Sequence, residues 1–405
     1  MPLSTFYVHT LGCKLNFSES SAFVKSMQAA GFVLTAENEA ADIFIINTCA
    51  VTAVAEKKCR TLVHAIKRKY PFAKIALMGC FSELEAAQSQ LKTEVDIMVG
   101  SSDKMSLVQL LQEQTPQTQS FFSAFSSNDR TRSFLKIQDG CDYHCSYCTV
   151  AKARGESRSD TIEGVLKNLR EIIDLDIKEV VLAGVNLGDF GRKNGASFYE
   201  LLQNMLTLKD LPRIRISSIE PNLLTDDIIA LVAGNKPLMP HFHIPLQSGN
   251  DRILALMKRR YNTSLFAEKV HKIKEKMPFA CVAADVITGF PTETEEDFEI
   301  TYHFLQNLPV DMLHVFSYSK RPGTPAVELK PQVAEMLKRE RTHRLITLSD
   351  SKKENFYRKN SGRILEVLWE SQNENGLMSG FTENYIKVAT PYRKELVNTV
   401  TKFSF

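Results

Sequence analysis

The chain has 405 residues, of which 43% are hydrophobic and 24% are charged, as in ordinary water-soluble globular proteins. This length predicts two or three domains of roughly 100–200 residues each. The sequence lacks a run of about 18 apolar residues, which excludes a membrane-spanning helix, and its net charge of +3 is too small to identify a polyanionic partner.

The first hundred residues alternate short apolar runs with amphipathic stretches. The predicted strands are 6–11, 42–46 and 74–78, and the predicted helices between them are 18–30 and 53–69. This alternation predicts a small parallel α/β domain over residues 1–115. Residues 116–132 are polar and lack periodicity, so we predict a linker there.

A second α/β series occupies residues 133–345. Its predicted strands, nearly all followed by a helical stretch, are 134–138, 179–185, 213–219, 241–246, 281–287 and 312–318. Six βα units in a row imply a partial (β/α)6 barrel with right-handed crossovers. In such barrels the chemistry lies at the carboxyl ends of the strands.

The remaining sequence changes character. A long basic helix is predicted over 332–357, and we assign 346–360 as a basic helix that links the barrel to the tail. The predicted strands of the tail are 362–369, 377–381, 385–388 and 396–401, with Gly and Asn turns between them. Residues 361–405 are therefore predicted to form a short all-β module. The fold class is α/β overall.

Positive charge is concentrated in three segments. They are Lys57, Lys58, Arg60, Lys67, Arg68 and Lys69; then Lys258, Arg259 and Arg260; then Lys338, Arg339, Arg341, Arg344, Lys352, Lys353, Arg358 and Lys359. Solvated helix faces would explain any one of these segments. Three in one chain shift the interpretation toward a nucleic-acid partner.

The eight cysteines are candidates for metal binding. Residues 1–5 lack the basic and apolar stretches of a secretory signal, so we expect a cytoplasmic protein with reduced thiols. Cys59 lies in a predicted basic helix and Cys281 opens a predicted strand. We interpret these two as buried structural thiols.

Cys141, Cys145 and Cys148 directly follow the predicted strand 134–138, with three and two residues between them. Three clustered thiolates suit a cubane iron–sulfur cluster, which normally takes four. One iron then remains open and can bind the amino and carboxylate groups of S-adenosylmethionine (SAM). Electron transfer into the sulfonium would yield a 5′-deoxyadenosyl radical. The alternative is a zinc site completed by His144, although zinc usually prefers paired Cys-x-x-Cys units.

Cys13, Cys49 and Cys80 are 36 and 31 residues apart, too far for a short motif. Each one nevertheless ends an apolar run, and the carboxyl ends of parallel strands share one edge of a sheet. We therefore predict that the three thiols converge on a second metal site. The alternative is three buried thiols, but such thiols would lie inside a strand rather than beyond its end.

The two cysteine sets and the β tail together resemble the methylthiotransferase family of radical-SAM enzymes. Further matching segments are 182–191, 215–221, 243–249, 285–293 and 318–324. The resemblance implies an amino-terminal methylthiotransferase domain, a radical-SAM barrel and a TRAM-like RNA-binding module. It also implies two [4Fe–4S] clusters and two SAM molecules per turnover, one to methylate sulfur at the amino-terminal cluster and one to make the radical. The implied partners are tRNA, through its anticodon stem-loop, and a reducing electron donor such as flavodoxin or ferredoxin.

Residues 12–16, Gly-Cys-Lys-Leu-Asn, resemble the branch that acts on N6-threonylcarbamoyladenosine beside the tRNA anticodon. The segment 182–191 also resembles this branch. The isopentenyladenosine branch typically carries Gln-Met-Asn after the cysteine, and the branch that modifies a ribosomal protein carries Pro-Lys-Asn.

By the same match, six residues would line the SAM site: Gly184, Asn186, Ser218, Glu220, Gln247 and Ile287. Each also has a structural interpretation as a turn, a satisfied polar group or core. Glu220 needs a partner most, because an unpaired acid at the end of a buried strand is costly. We interpret His241 and His243 as structural, and the acids of 293–298 as helix N-terminal residues.

Lys14 directly follows a proposed cluster ligand, so its side chain should lie where sulfur meets substrate. Threonylcarbamoyladenosine carries a free carboxylate that isopentenyladenosine lacks, and a desolvated carboxylate needs a cation or hydrogen-bond donors. We therefore predict a catalytic role for Lys14 in binding this carboxylate. The alternative is that its ammonium extends into solvent.

The sequence thus predicts a methylthiotransferase that modifies C2 of threonylcarbamoyladenosine in tRNA. An enzyme for another tRNA adenosine or for a ribosomal-protein aspartate would share both cluster sites, although the basic segments favour RNA. A non-enzymatic iron–sulfur protein that binds RNA is a third hypothesis. Such a protein would have little use for an open iron inside a barrel.

Overall fold

The computed structural model describes residues 4–84, 89–115, 121–126, 131–371 and 374–405. Its amino-terminal part contains the strands β1 (Thr5–Thr10), β2 (Val33–Leu34), β3 (Ile43–Thr48), β4 (Lys74–Gly79) and β5 (Ile97–Val99), and the helices α1 (Lys14–Ala29), α2 (Ala53–Lys69) and α3 (Ser106–Leu111). The strands form one parallel sheet in the order β2-β1-β3-β4-β5.

The central strand β3 explains why helices cover both faces of this sheet. All six of its residues are buried, as in parallel strands that need cover on both sides. Ile43 and Ile45 belong to a core that includes Phe23 of α1. Phe44 and Ile46 face the opposite core, to which α2 contributes Cys59, Val63 and Ile66. Helices therefore cover both faces and leave the strand ends free.

The middle of the chain forms an open parallel barrel. Its strands are β6 (Ala124–Phe125), β7 (Arg132–Lys136), β8 (Gln138–Asp139), β9 (Arg158–Ser159), β10 (Glu179–Ala183), β11 (Arg213–Ile216), β12 (His241–Gln247), β13 (Cys281–Thr288) and β14 (Met312–Ser317). Two sheets, β11-β10-β7-β6 and β12-β13-β14, are joined through bridges of Ser218 to His243 and of Ile214 to Leu238. The six principal strands thus follow one another in chain order.

Helices cover the outside of the barrel. They are α5 (Ile162–Asp174), α6 (Phe198–Met205), α7 (Asp226–Gly234), α8 (Asp251–Leu256), α9 (Thr263–Lys276) and α10 (Glu295–Asn307). The short helix α4 (Val150–Arg154) instead packs against the amino-terminal domain. The prediction of helix N-terminal acids is confirmed at α10, where Thr294 and Asp297 form a capping box. Glu293 differs, because it is buried and pairs with Arg341 at 2.7 Å.

The carboxyl-terminal part consists of α11 (Glu335–Asn360) and the strands β15 (Ile364–Trp369), β16 (Leu377–Thr382), β17 (Lys387–Pro391) and β18 (Val400–Ser404). These strands form an antiparallel sheet in the order β17-β16-β15-β18. Trp369 is 1% exposed in a core that Phe356 of α11 shares. Arg215 of the barrel donates to Thr382 O at 3.3 Å, which attaches the module to the barrel.

The predicted fold class is confirmed, with differences at the edges. The carboxyl ends of the predicted strands lie within three residues of those of the observed strands. The strands β2 and β5 were not predicted, because with two and three residues they are too short to leave a pattern. Residues 116–120 and 127–130 of the predicted linker lie outside the described residues, and the predicted domain boundaries stay predictions. No described helix is both long enough and apolar enough to cross a membrane.

Candidate iron–sulfur and SAM site

Cys13, Cys49 and Cys80 lie at the carboxyl edge of the first sheet, after β1, β3 and β4. Gly12 permits their approach. Its φ of +103° is left-handed, and a Cβ at this position would lie 2.6 Å from Cys49 Cβ. Cys59, which we interpret as structural, is fully buried behind the site, and its thiol donates to Cys49 O at 3.8 Å. The parallel strand ends therefore bring the three predicted ligands to one place.

Cys141, Cys145 and Cys148 lie on the loop between β8 and α4. Donors surround their sulfurs: Tyr143 N–H to Cys141 Sγ at 3.4 Å, Val150 N–H to Cys148 Sγ at 3.4 Å, and Arg259 Nη1 to Cys145 Sγ at 3.1 Å. Burial raises the pKa of Cys141 to about 12 and that of Cys148 to about 11. Thiolates at such positions need a compensating positive charge, which iron supplies.

The spacing of the thiols distinguishes a cubane cluster from a zinc ion. Within the described part of the chain, neither cysteine set has all three sulfurs within 4.8 Å of one another. Tetrahedral zinc, with Zn–S bonds of about 2.3 Å, requires sulfurs about 3.8 Å apart, whereas a cubane holds its thiolates on separate irons. His144 is exposed. This spacing disfavours a single zinc ion at either set and is compatible with a cubane that has three protein ligands.

A cavity of about 260 Å³ adjoins the second cysteine set. Its lining includes Cys148, together with Gln247 and Ile287 from the ends of β12 and β13. Tyr147 and Phe316 supply aromatic walls. Two of the six residues predicted to line the SAM site therefore share a cavity with a cluster ligand.

A second cavity, of about 480 Å³, lies where the three parts of the chain meet, and we call it the central cavity. The amino-terminal domain contributes Cys13 and Lys14, the barrel contributes Gly184 and Ser218, and the β module contributes Tyr385. Cys13, a predicted ligand of the first cluster, therefore lines the same space as two predicted SAM residues.

The other two predicted SAM residues have different surroundings. Asn186 is buried, and its Oδ1 has no hydrogen-bond partner among the described residues. An unpaired buried acceptor is costly, so this position suits a donor group of a ligand. Glu220 instead pairs with Arg259, which also donates to Cys145. The partner that Glu220 needs is therefore a protein residue.

Lys14 is the first residue of α1 and is partly buried in the central cavity. Burial and the positive charges of Arg132 and Arg215 lower its pKa to about 8, so most of it is still protonated at neutral pH. Both arginines have partners, Arg132 with Glu370 at 2.8 Å and Arg215 with Glu179 at 2.9 Å. The Lys14 ammonium has no hydrogen bond or ion pair within the described residues.

Sequence reasoning missed the role of Arg259. The interpretation of 258–260 as a solvated or RNA-binding patch is wrong for Arg259, whose side chain is 4% exposed. Arg260 lies over the ring of Tyr143 at 4.0 Å. No local pattern separates these arginines from a surface cluster, because their partners are distant in sequence.

The two histidines predicted to be structural also differ from each other. His241 is buried and stacks on Tyr385 with 4.3 Å between ring centroids, as a structural residue would. His243 lines the central cavity, and its Nε2 lies 2.7 Å from Asp285 Oδ1. His243 therefore lies at the central cavity. Its position in an apolar strand did not indicate this location.

Known proteins resemble both the domains and the whole chain. Residues 5–100 match the Uncharacterized protein family UPF0004, and residues 135–305 match the Radical SAM superfamily. Threonylcarbamoyladenosine tRNA methylthiotransferase MtaB of Bacillus subtilis (strain 168) is 34% identical over 99% of this chain and 93% of its own length. The protein of the same name from Aquifex aeolicus (strain VF5) is 34% identical over 96% and 97%. The tRNA-2-methylthio-N(6)-dimethylallyladenosine synthase of A. aeolicus is 33% identical over 94% and 91%.

Among solved structures, the radical S-adenosylmethionine methyltransferase TsrM from Kitasatospora setae shares the fold. Its TM-score is 0.58 at 12% identity, with 80% of this chain and 77% of that chain covered. The barrel and its cysteine loop define a radical-SAM enzyme with [4Fe–4S] clusters and SAM as cofactors. With relatives of this identity over nearly its full length, the chain belongs to the radical-SAM methylthiotransferase family.

Proposed function

We propose that the chain is a tRNA methylthiotransferase that replaces hydrogen at C2 of N6-threonylcarbamoyladenosine with a methylthio group. The observation that carries this proposal is the central cavity, which places Cys13 and Lys14 opposite predicted SAM residues. The B. subtilis and A. aeolicus relatives named for this activity support it.

The two cavities would have different functions, one in binding SAM and the other in binding the target base. When bound, the two clusters and two SAM molecules per turnover supply the methylated sulfur and the 5′-deoxyadenosyl radical. Gln247 and Ile287 would hold SAM beside Cys148. The target base would leave its stack in the anticodon loop and enter the central cavity.

The charge of Lys14 favours the threonylcarbamoyl group over the dimethylallyl group. A partly buried ammonium that has no partner among the described residues is well suited to a carboxylate, and an apolar dimethylallyl chain would not provide one. A ribosomal-protein aspartate also carries a carboxylate. The exposed basic face of α2 supports RNA over that alternative. The cavity that Cys13 shares with Gly184 and Ser218 of the barrel supports an enzyme over a sensor.

The fold uses part of the basic charge of α11, and this part does not contribute to an RNA surface. Lys338 is 1% exposed and Arg341 is 3% exposed. Arg344 Nη1 lies 2.6 Å from Glu299 Oε1, and Lys352 Nζ donates to Leu308 O at 2.9 Å. Lys338 and Arg341 are therefore not available to phosphates. Arg339, Lys353, Arg358 and Lys359 of the same segment are exposed.

The basic residues of α2 remain available to an RNA partner. Lys57, Lys58, Arg60, Lys67, Arg68 and Lys69 form no ion pair with any residue that the structure describes. The helix begins next to Thr52, which lines the smaller cavity. We therefore place the phosphates of the anticodon stem-loop along α2, within reach of the site. A cytoplasmic one-electron donor such as flavodoxin or ferredoxin completes the proposed set of partners.

The test is mass spectrometry of tRNA nucleosides from a strain that lacks the gene. We expect 2-methylthio-threonylcarbamoyladenosine to disappear and its unmethylthiolated precursor to accumulate. The wild-type gene should restore the product, and the matched Cys13→Ala gene should not. Loss of the 2-methylthio derivative of isopentenyladenosine instead would show that the substrate is wrong. Unchanged tRNA would contradict a function in tRNA modification.

A further inference from the structure

A network of charged side chains is buried between the amino-terminal domain and the barrel. Its members are Glu19 and Lys104 of the domain and Lys136, Asp139, Arg154 and Arg158 of the barrel. Except for Arg158, none is more than 4% exposed. The network is therefore part of the interior and is shielded from solvent ions.

Two carboxylates hold the network together. The carboxylate of Glu19 pairs with Lys104 and lies 2.7 Å from Lys136 Nζ and 3.2 Å from Arg154 Nη1. Asp139 lies 2.8 Å from both Lys136 and Arg154. Three fully buried cations thus face two buried anions, and Arg158 at the edge adds a fourth positive charge. A buried surplus of positive charge is costly unless an anion balances it.

Arg154 is one of two network members that reach Asn16, beside the first cysteine set; the other is Lys104, whose Nζ donates to Asn16 Oδ1 at 3.4 Å. Arg154 Nη2 donates to Asn16 Oδ1 at 2.7 Å. The Asn16 amide in turn donates to Leu11 O at 2.6 Å and Thr48 O at 2.9 Å, just before Cys13 and Cys49 in the chain. Ala153 packs in the same apolar cluster as Cys80. Hydrogen bonds through Asn16 therefore connect the guanidinium to the backbone just before Cys13 and Cys49.

Electrostatics agree with this placement. Burial opposes the charge of Arg154, but Asp139, Glu19 and the thiolates of Cys80 and Cys13 together raise its pKa well above the usual range. A cubane core held by three thiolates carries a net charge of about −1, and one-electron reduction makes it more negative. The cluster that fits this site would therefore balance the buried surplus.

We propose that Arg154 is a positioning residue that raises the reduction potential of the cluster at Cys13, Cys49 and Cys80. A buried cation stabilises the reduced cluster more than the oxidised one, because the reduced form carries the larger negative charge. Arg154 ends α4, which begins two residues after Cys148, so the cysteine loop of the barrel also supplies the charge at the other site. The inference depends on the iron–sulfur assignment and not on the tRNA substrate.

The experiment is a redox titration followed by electron paramagnetic resonance. The full-length chain carries Cys141→Ala, Cys145→Ala and Cys148→Ala, so that the cluster of interest is the remaining one. Arg154→Gln removes the charge, and Arg154→Lys retains it. The matched control is Arg158→Gln, which removes one charge from the same network at its partly exposed edge. Iron content and thermal unfolding are measured for each protein.

We expect the midpoint potential to fall in Arg154→Gln, to stay near the parent value in Arg154→Lys and to change less in Arg158→Gln. Loss of the cluster in Arg154→Gln but not in Arg154→Lys would also support a requirement for charge. An unchanged potential in Arg154→Gln, or equal shifts in Arg154→Gln and Arg158→Gln, would overturn the proposal. Loss of the cluster in both Arg154 variants would do the same, because it would assign Arg154 a purely structural role.

Discussion

At the scale of single residues, the charge of Lys14 separates the proposed substrate from the dimethylallyl alternative. Lys14→Met should retain both clusters and uncoupled SAM cleavage. It should lose roughly tenfold or more in kcat/KM on threonylcarbamoylated tRNA, since a charge-assisted hydrogen bond contributes on the order of 1.5–3 kcal/mol and each decade corresponds to about 1.4 kcal/mol. Steady-state kinetics with purified tRNA measures this loss.

Two controls separate the carboxylate from the fold. Lys14→Arg keeps the cation and should recover much of the activity. With a tRNA whose modification carries an esterified carboxylate, the Lys14→Met change should lower kcat/KM far less. Equal losses on the free and esterified substrates would show that Lys14 serves the fold or the cluster and does not bind the carboxylate.

Some residues of the site could be predicted from sequence and others could not. The sequence predicts the positions of Cys13, Cys49 and Cys80 because each follows a strand, and strand ends leave a local pattern. It does not predict the positions of Arg154 and Arg259. Their partners Glu19 and Glu220 are 135 and 39 residues away, so nothing near them in sequence indicates burial.

At the scale of elements, the two basic helices make different contributions to RNA binding. Lys57→Gln with Arg68→Gln removes two exposed charges from α2. We expect the log–log salt dependence of tRNA affinity to become shallower by roughly 1.4–1.8, because each lost phosphate contact contributes about 0.7–0.9. Fluorescence titrations with an anticodon stem-loop at several salt concentrations measure the slope.

The matched control removes the same number of charges from α11. Arg344→Gln with Lys352→Gln breaks contacts to Glu299 and Leu308 and should lower thermal stability while leaving the salt slope unchanged. If the α11 pair flattened the slope and the α2 pair did not, the RNA surface would lie on the other helix.

The sequence predicts a strand or helix well where its buried residues form a regular pattern. β3 and β13 are apolar runs bounded by turns and appear where the sequence indicates. α11 begins three residues later than predicted, at Glu335. Its basic residues looked solvated because helical charge normally is, yet tertiary contacts to α10 and to the loop before it bury Arg341.

At the scale of the whole molecule, the central cavity explains why three domains occur in one chain. Each domain supplies part of its wall, from Cys13 through Ser218 to Tyr385. The buried network at Glu19 and Arg154 fixes the amino-terminal domain against the barrel. The cysteines of the first sheet and the cysteine loop of the barrel are thereby held in one orientation.

The most direct test of two cooperating sites measures iron, 5′-deoxyadenosine and methylthiolated nucleoside in the same reactions. The parent protein should hold about eight irons, four per cubane, and form both products. The triple Ala variant of Cys141, Cys145 and Cys148 should retain about half of the iron and form neither product. The triple Ala variant of Cys13, Cys49 and Cys80 should also retain half, and it should form 5′-deoxyadenosine without methylthiolated nucleoside. Full iron in either variant, or methylthiolated nucleoside from the second, would contradict the account.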